Sequence, residues 1–111
     1  MASLRDEIPP GTLDLLILKT LDREGSLHGF QIAESIQSSS LNVLQVEEGS
    51  LYPALQRMLI KGWIAGEWGR TPENRRARYY QLTRDGRTHL ELEMTRYQRV
   101  SAAIVRVLEP A

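Results

Sequence analysis

The sequence contains no cysteine. That absence excludes disulfides, thiol nucleophiles and cysteine-based zinc or iron–sulfur sites, and it suits a reducing cytoplasm, which is the expected location. Histidine is nearly absent too. His28 and His89 fall in different predicted elements, so no metal site is expected. No apolar run approaches the roughly 20 residues that span a bilayer. The longest is Leu15–Leu18, and no membrane partner is expected. Met1–Pro10 carries Arg5, Asp6 and Glu7 and lacks the apolar stretch of a signal peptide. No nucleophile–base–orienter set and no glycine-rich phosphate loop is visible, and Gly49-Ser50 belongs to no strand–turn–helix elbow. The chain is therefore expected not to be an enzyme and to need no cofactor.

Net charge is absent as well, but its distribution is uneven. Residues 1–56 hold three bases and eight acids, a balance of −5. Residues 57–87 hold eight bases and three acids, a balance of +5. A polyanion responds to the local field rather than to the molecular sum. Seven of those eight bases are arginine, the side chain best shaped for phosphate and base edges. A solvated basic loop is the plainer reading of the same run.

What remains is one domain of 111 residues with a single modest core. Pro9-Pro10-Gly11 breaks the chain, and Thr12 is placed to cap a first helix with Leu13, Leu16, Ile17 and Leu21 at helical spacing. Leu15 and Leu18 lie off that stripe, so this helix should be covered on more than one side. A second helix is predicted over His28–Ser38, capped by Ser26, and a connector with a short strand over 41–47. The third helix, Gly49–Lys61, buries Leu51, Ala54, Leu55, Met58 and Leu59. It exposes Ser50, Tyr52, Pro53, Gln56 and Arg57, with Pro53 placed in the first turn, where a missing N–H matters least. Two β-prone stretches, Trp63–Trp68 and Ala77–Leu82, flank a basic tip and read as a hairpin. Thr83 caps the last helix, to about Leu108. Leu90, Met94, Tyr97, Ser101, Ile104 and Leu108 step alternately by four and three residues, the heptad spacing of a helix packed along another helix.

Three short helices, a basic hairpin and a long helix give a mainly α (α+β) fold. The third helix has the placement of a recognition helix and the hairpin that of a wing. The chain also resembles the PadR family of transcriptional regulators through nearly its whole length. The resemblance lies in Gly11-Thr12-Leu13, Leu27-His28-Gly29-Phe30-Gln31-Ile32, Glu48-Gly49-Ser50-Leu51-Tyr52-Pro53-Ala54-Leu55, Lys61-Gly62-Trp63-Ile64 and Arg78-Tyr79-Tyr80-Gln81-Leu82-Thr83-Arg84-Asp85-Gly86. It implies a winged helix-turn-helix domain over 1–83, a dimerisation helix over 84–111, a homodimer on double-stranded DNA, and usually repression of a nearby operon.

The expected DNA contacts are Gln31, Ser50, Tyr52, Pro53, Gln56, Arg57, Arg70, Arg75, Arg76 and Arg78. His28 reads equally as a backbone contact or a structural cap. The expected dimer contacts are Leu90, Met94, Tyr97, Ser101, Ile104 and Leu108. Aromatic residues near the dimer interface line an effector cavity in some family members, which raises Tyr97 and Trp63 as candidates for a small apolar or aromatic ligand. Interface packing is the plainer role for Tyr97. A winged-helix module that docks a protein instead of DNA is the competing function.

Overall fold

The computed structural model describes residues 6–9 and 11–109. The expected break at Pro10 and stop at Pro110 lie outside the described residues. The elements run β1 (Asp6–Glu7), α1 (Leu13–Glu24), β2 (Leu27–His28), α2 (Gly29–Ser39), β3 (Leu44–Gln45), α3 (Glu48–Ile60), β4 (Ile64–Arg70), β5 (Arg76–Leu82) and α4 (Arg84–Leu108).

Helix α1 is the centre of the molecule. Ile17, Leu18 and Leu21 are buried, and the helix packs against α2, α3, α4 and β5, which is why its apolar stripe is wide. Thr12 precedes it without a side-chain capping bond. Its hydroxyl donates to the Pro9 carbonyl at 2.6 Å instead. Gly25 ends it at φ 84°, a conformation that glycine adopts without penalty.

The cap of α2 corrects the expectation for Ser26. Leu27 and His28 pair antiparallel with Tyr80 and Tyr79, so a strand separates Ser26 from the helix. The cap therefore falls to His28. Its Nδ1 accepts the Gln31 N–H at 3.4 Å, and Gln31 Oε1 accepts the His28 N–H at 3.1 Å, a reciprocal capping box. Ile32 and Ile36 carry the inner face.

The reversal into α3 is a structured loop. Leu41 and Asn42 adopt φ of 54° and 65°. The Ser40 hydroxyl donates to the Gln37 carbonyl and accepts the Leu44 N–H, each at 3.0 Å. Strand β3 then pairs in parallel with β1. Helix α3 buries Leu51, Ala54, Leu55 and Met58. It starts one residue earlier than expected, and Pro53 lies inside the helix rather than in its first turn. The proline leaves the Gly49 carbonyl without its intrahelical donor. Both residues are exposed, so water can supply one.

Strands β4 and β5 are longer than expected and pair in register from Ile64↔Leu82 to Arg70↔Arg76. Adding β2 gives a three-stranded sheet ordered β2-β5-β4. The tip closes through the Thr71 N–H on the Arg75 carbonyl at 2.8 Å, with Asn74 at φ 63°.

Only Thr83 separates β5 from α4. Its hydroxyl accepts the Gly86 N–H at 3.0 Å, and its own N–H donates to the Trp63 carbonyl at 3.1 Å. A Cβ added to Gly86 would lie 1.9 Å from that same carbonyl oxygen, so backbone meets backbone here. Arg87 Nε donates to Asp22 of α1 at 3.2 Å, and the His89 ring stacks on Trp63 at 3.6 Å. Past Met94 the helix leaves the body. The radius of gyration is accordingly 15.4 Å, against about 13 Å for a compact chain of this length. The whole is a winged-helix domain with a long C-terminal helix.

Candidate nucleic-acid interface

The hairpin's register decides which side chains share a face. Residues paired across the strands point the same way, so Ile64, Gly66, Trp68 and Arg70 of β4 stand with Leu82, Tyr80, Arg78 and Arg76 of β5. At the base of this face Ile64 and Tyr80 belong to the core. Burial pushes the Tyr80 phenol above its ordinary pKa, against the opposing pull of Arg78. Further out the face becomes cationic. The Arg78 guanidinium lies 6.0 Å from the Tyr80 ring and across Gly66, where an added Cβ would come within 2.4 Å of Arg78 Nε. That Nε is buried and has no hydrogen-bond partner. The Arg76 guanidinium lies over the Trp68 ring at 4.3 Å. Among the described residues, Arg75, Arg76 and Arg78 have no carboxylate partner.

This face looks across a groove of about 1090 Å³ at the start of α2 and at Tyr52 of α3. Gly29 shapes the far wall. A Cβ there would lie 2.8 Å from the Tyr52 hydroxyl, so the glycine lets the Tyr52 ring cross the N-terminus of α2. Tyr52 is nonetheless 47% exposed, so it both packs and faces outward. Gln31 lines the groove; its carbonyl accepts one bond in the capping box, and its amide N–H groups are available as donors. Ser50, Pro53 and Gln56 stand exposed on α3.

Two expected contacts are placed differently. Arg57 donates to Asp14 Oδ1 at 3.0 Å, tying α3 to α1 outside the groove. Arg70 Nη1 donates to the Asn74 carbonyl at 3.2 Å and helps shape the wing tip. The charge division is also less clean in space than along the chain. Glu47 and Glu48 are exposed at the start of α3, and Glu34 and Glu73 line the groove. Glu48 there complements the helix dipole.

The family model of the transcriptional regulator PadR-like family matches residues 17–92, which run from within α1 through α2, α3 and the hairpin to the start of α4. The chain is a member of that family. An uncharacterised protein of Lysinibacillus sphaericus is 30% identical over 87 residues, 78% of this chain and 79% of that one. Among solved structures, a PadR family transcription regulator from Clostridium difficile is 27% identical with a TM-score of 0.75, covering 88% of this chain and 99% of its own. A PadR-like transcriptional regulator from Bacillus cereus is 26% identical with a TM-score of 0.76, covering 91% and 95%.

In this PadR-like chain the expected helix seam divides into two parts. Leu90 is 2% exposed and belongs to the protomer's own core, which leaves it no surface for a partner. Met94 packs partly against that core, and Ser101 is half-buried. Tyr97, Ile104 and Leu108 are 50%, 53% and 73% exposed. Val100, Ala103, Ile104, Val107 and Leu108 together line a wholly apolar depression of about 320 Å³. Trp63, stacked on His89 and overlain by Lys61 at 4.7 Å, is occupied as a structural ring.

Trp68, Phe30, Gly29 and Gly66 carry no signal along the chain that marks them as groove residues. Only the cross-strand register and the strand before α2 bring them there. No helix among the described residues is long and apolar enough to cross a membrane. No cluster of His, Asp and Glu among them is arranged to hold a metal ion.

Proposed function

We propose that the protein is a cytoplasmic, sequence-specific DNA-binding regulator, not an enzyme, that works as a homodimer and represses a nearby operon. Residues 1–83 act as the DNA-binding unit and 84–111 as the dimerisation helix. The observation that carries this reading is the wing face, where Arg76 and Arg78 stand without carboxylate partners beside the exposed face of α3. In this reading Ser50, Tyr52, Pro53 and Gln56 meet base edges and phosphates from α3. Gln31 meets the backbone from α2. Arg70, Arg75, Arg76 and Arg78 hold phosphates, and Arg57 contributes field rather than a direct bond. Tyr97, Ile104 and Leu108 cover each other across the dimer, with Ser101 and Met94 at the margin. Tyr97 is also the residue that a small apolar or aromatic effector would meet.

The test is a fluorescence anisotropy titration of duplex DNA from the region upstream of the gene, at several salt concentrations. If each protomer neutralises about four phosphates, log K falls against log salt with a slope near −7. The double charge reversal Arg75→Glu/Arg76→Glu is expected to abolish binding. Absence of binding at low salt sinks the proposal. The acidic pair Glu47 and Glu48 at the start of α3 favours the alternative, a surface that docks a protein. Under that alternative the reversal leaves DNA binding as weak as before and changes partner binding.

Gly66→Ala tests the placement of Arg78. The added methyl group displaces a flexible side chain rather than backbone, so the fold should persist. The salt slope should flatten by about 0.9 for each phosphate that is no longer neutralised. An unchanged slope would show that Arg78 holds no phosphate.

A further inference from the structure

Trp68 is the large apolar side chain on the wing that the core does not use. It is 58% exposed on β4 and stands directly across from Arg78. Arg76 lies over its ring, and Arg70 is paired directly opposite Arg76. Like charges in facing strand positions destabilise a hairpin, and no described carboxylate pairs with either arginine. The wing thus holds an indole open to solvent among cations that no described carboxylate pairs, and an outside anion would relieve their repulsion. A neutral or basic protein partner would leave that repulsion in place. A polyanion with apolar sugar edges between its phosphates relieves it and covers the ring.

We propose that Trp68 is a direct DNA contact, its indole lying against the deoxyribose edges of the backbone that the wing arginines hold. The inference rests on the DNA-binding reading above. It adds an apolar contact to a wing otherwise described by charge. Apolar side chains set against base steps are an established way for proteins to grip the minor groove, and the sugar edges there offer an indole a comparable apolar surface. Arg76 then has two roles: it holds the ring in place and neutralises a phosphate beside it.

The experiment uses the full-length protein and a duplex from the region upstream of the gene, and it reads anisotropy and tryptophan emission together. Trp68→Ala is expected to weaken binding about tenfold at every salt concentration, ~1.4 kcal/mol, with the slope of log K against log salt unchanged. Trp68→Phe, which keeps an aromatic ring, should recover most of the affinity. Arg76→Ala should instead flatten the slope by about 0.9 for the phosphate it leaves unneutralised. Emission should shift when DNA binds the natural protein. It should stay silent in Trp68→Phe, whose remaining Trp63 is stacked on His89. A rise in anisotropy with silent Trp68 emission, or full affinity in Trp68→Ala, overturns this inference alone. A flattened slope in Trp68→Ala overturns it too, because the ring would then act only through Arg76. No rise in anisotropy for the natural protein overturns both this inference and the DNA-binding reading.

Discussion

Gly86→Ala is expected to lower the melting temperature by on the order of 10–15 °C. The added Cβ would lie 1.9 Å from the Trp63 carbonyl oxygen, and 2.8 Å from its carbon. Neither is the end of a flexible side chain. The Trp63 carbonyl is held in turn by the Thr83 N–H at 3.1 Å, so it cannot retreat without breaking the start of α4. Forced overpacking of this kind costs roughly 3 kcal/mol, and each kcal/mol moves the melting point by about 4–5 °C in a domain of this size. Thermal denaturation followed by circular dichroism reads the effect. Gly49→Ala is the contrast: nothing lies within 4 Å of its added Cβ, so the change should be neutral or slightly stabilising. Equal losses in the two variants would refute the close approach at Trp63.

Ile104→Asp combined with Val107→Asp is expected to convert a dimer to a folded monomer. Both residues line the apolar depression on the outer half of α4, at 53% and 79% exposure. In an antiparallel or parallel helix pair, each aspartate would lose its water against apolar surface, at several kcal/mol per protomer pair. The dimer dissociation constant should rise by about a thousandfold or more, since each 1.4 kcal/mol is a factor of ten. Light scattering at micromolar concentration should then give the single-chain mass of 12.6 kDa with helical content retained. DNA affinity should fall by a factor of about 10² to 10⁴ as the two half-sites are no longer engaged together. Leu90→Asp separates the two halves of the seam. Leu90 is buried in the protomer's own core, so that variant should unfold rather than dissociate. A natural protein that already runs as a monomer would refute the pairing.

Much of this architecture is legible in the residues. The burial steps of Leu51, Ala54, Leu55 and Met58 give α3, and the two β-prone stretches give the wing. The rest was hidden for physical reasons. Strands of two residues, such as Leu27–His28, have no period to detect, and their pairing with Tyr80 and Tyr79 is a tertiary event. That pairing moved the α2 cap from Ser26 to His28, although both residue types can accept a backbone N–H. The four-and-three spacing on α4 shows which side is apolar, but it cannot tell that Leu90 is buried in the protomer's own core while Ile104 stays exposed. The wing face was half visible. Its arginines stood out as charge, while the stacking of Arg76 on Trp68 and the nesting of Arg78 over Gly66 needed the strand register. Arg57 reads along the chain as an exposed DNA contact, and only the fold sets Asp14 of α1 beside it.

The junction at Thr83 has a mechanical side. With a single residue between β5 and α4, and with Gly86 seated on the Trp63 carbonyl, the hairpin and the long helix share one rigid elbow. The seven residues of β5 reach about 20 Å from that elbow at roughly 3.3 Å each. A rotation of about 10° at the elbow therefore carries the wing tip through about 3.5 Å, close to the rise of one base pair. In the proposed dimer on DNA, a small change in how the two long helices cross would thus be amplified, by leverage alone, into a one-base-pair shift at the wing tips.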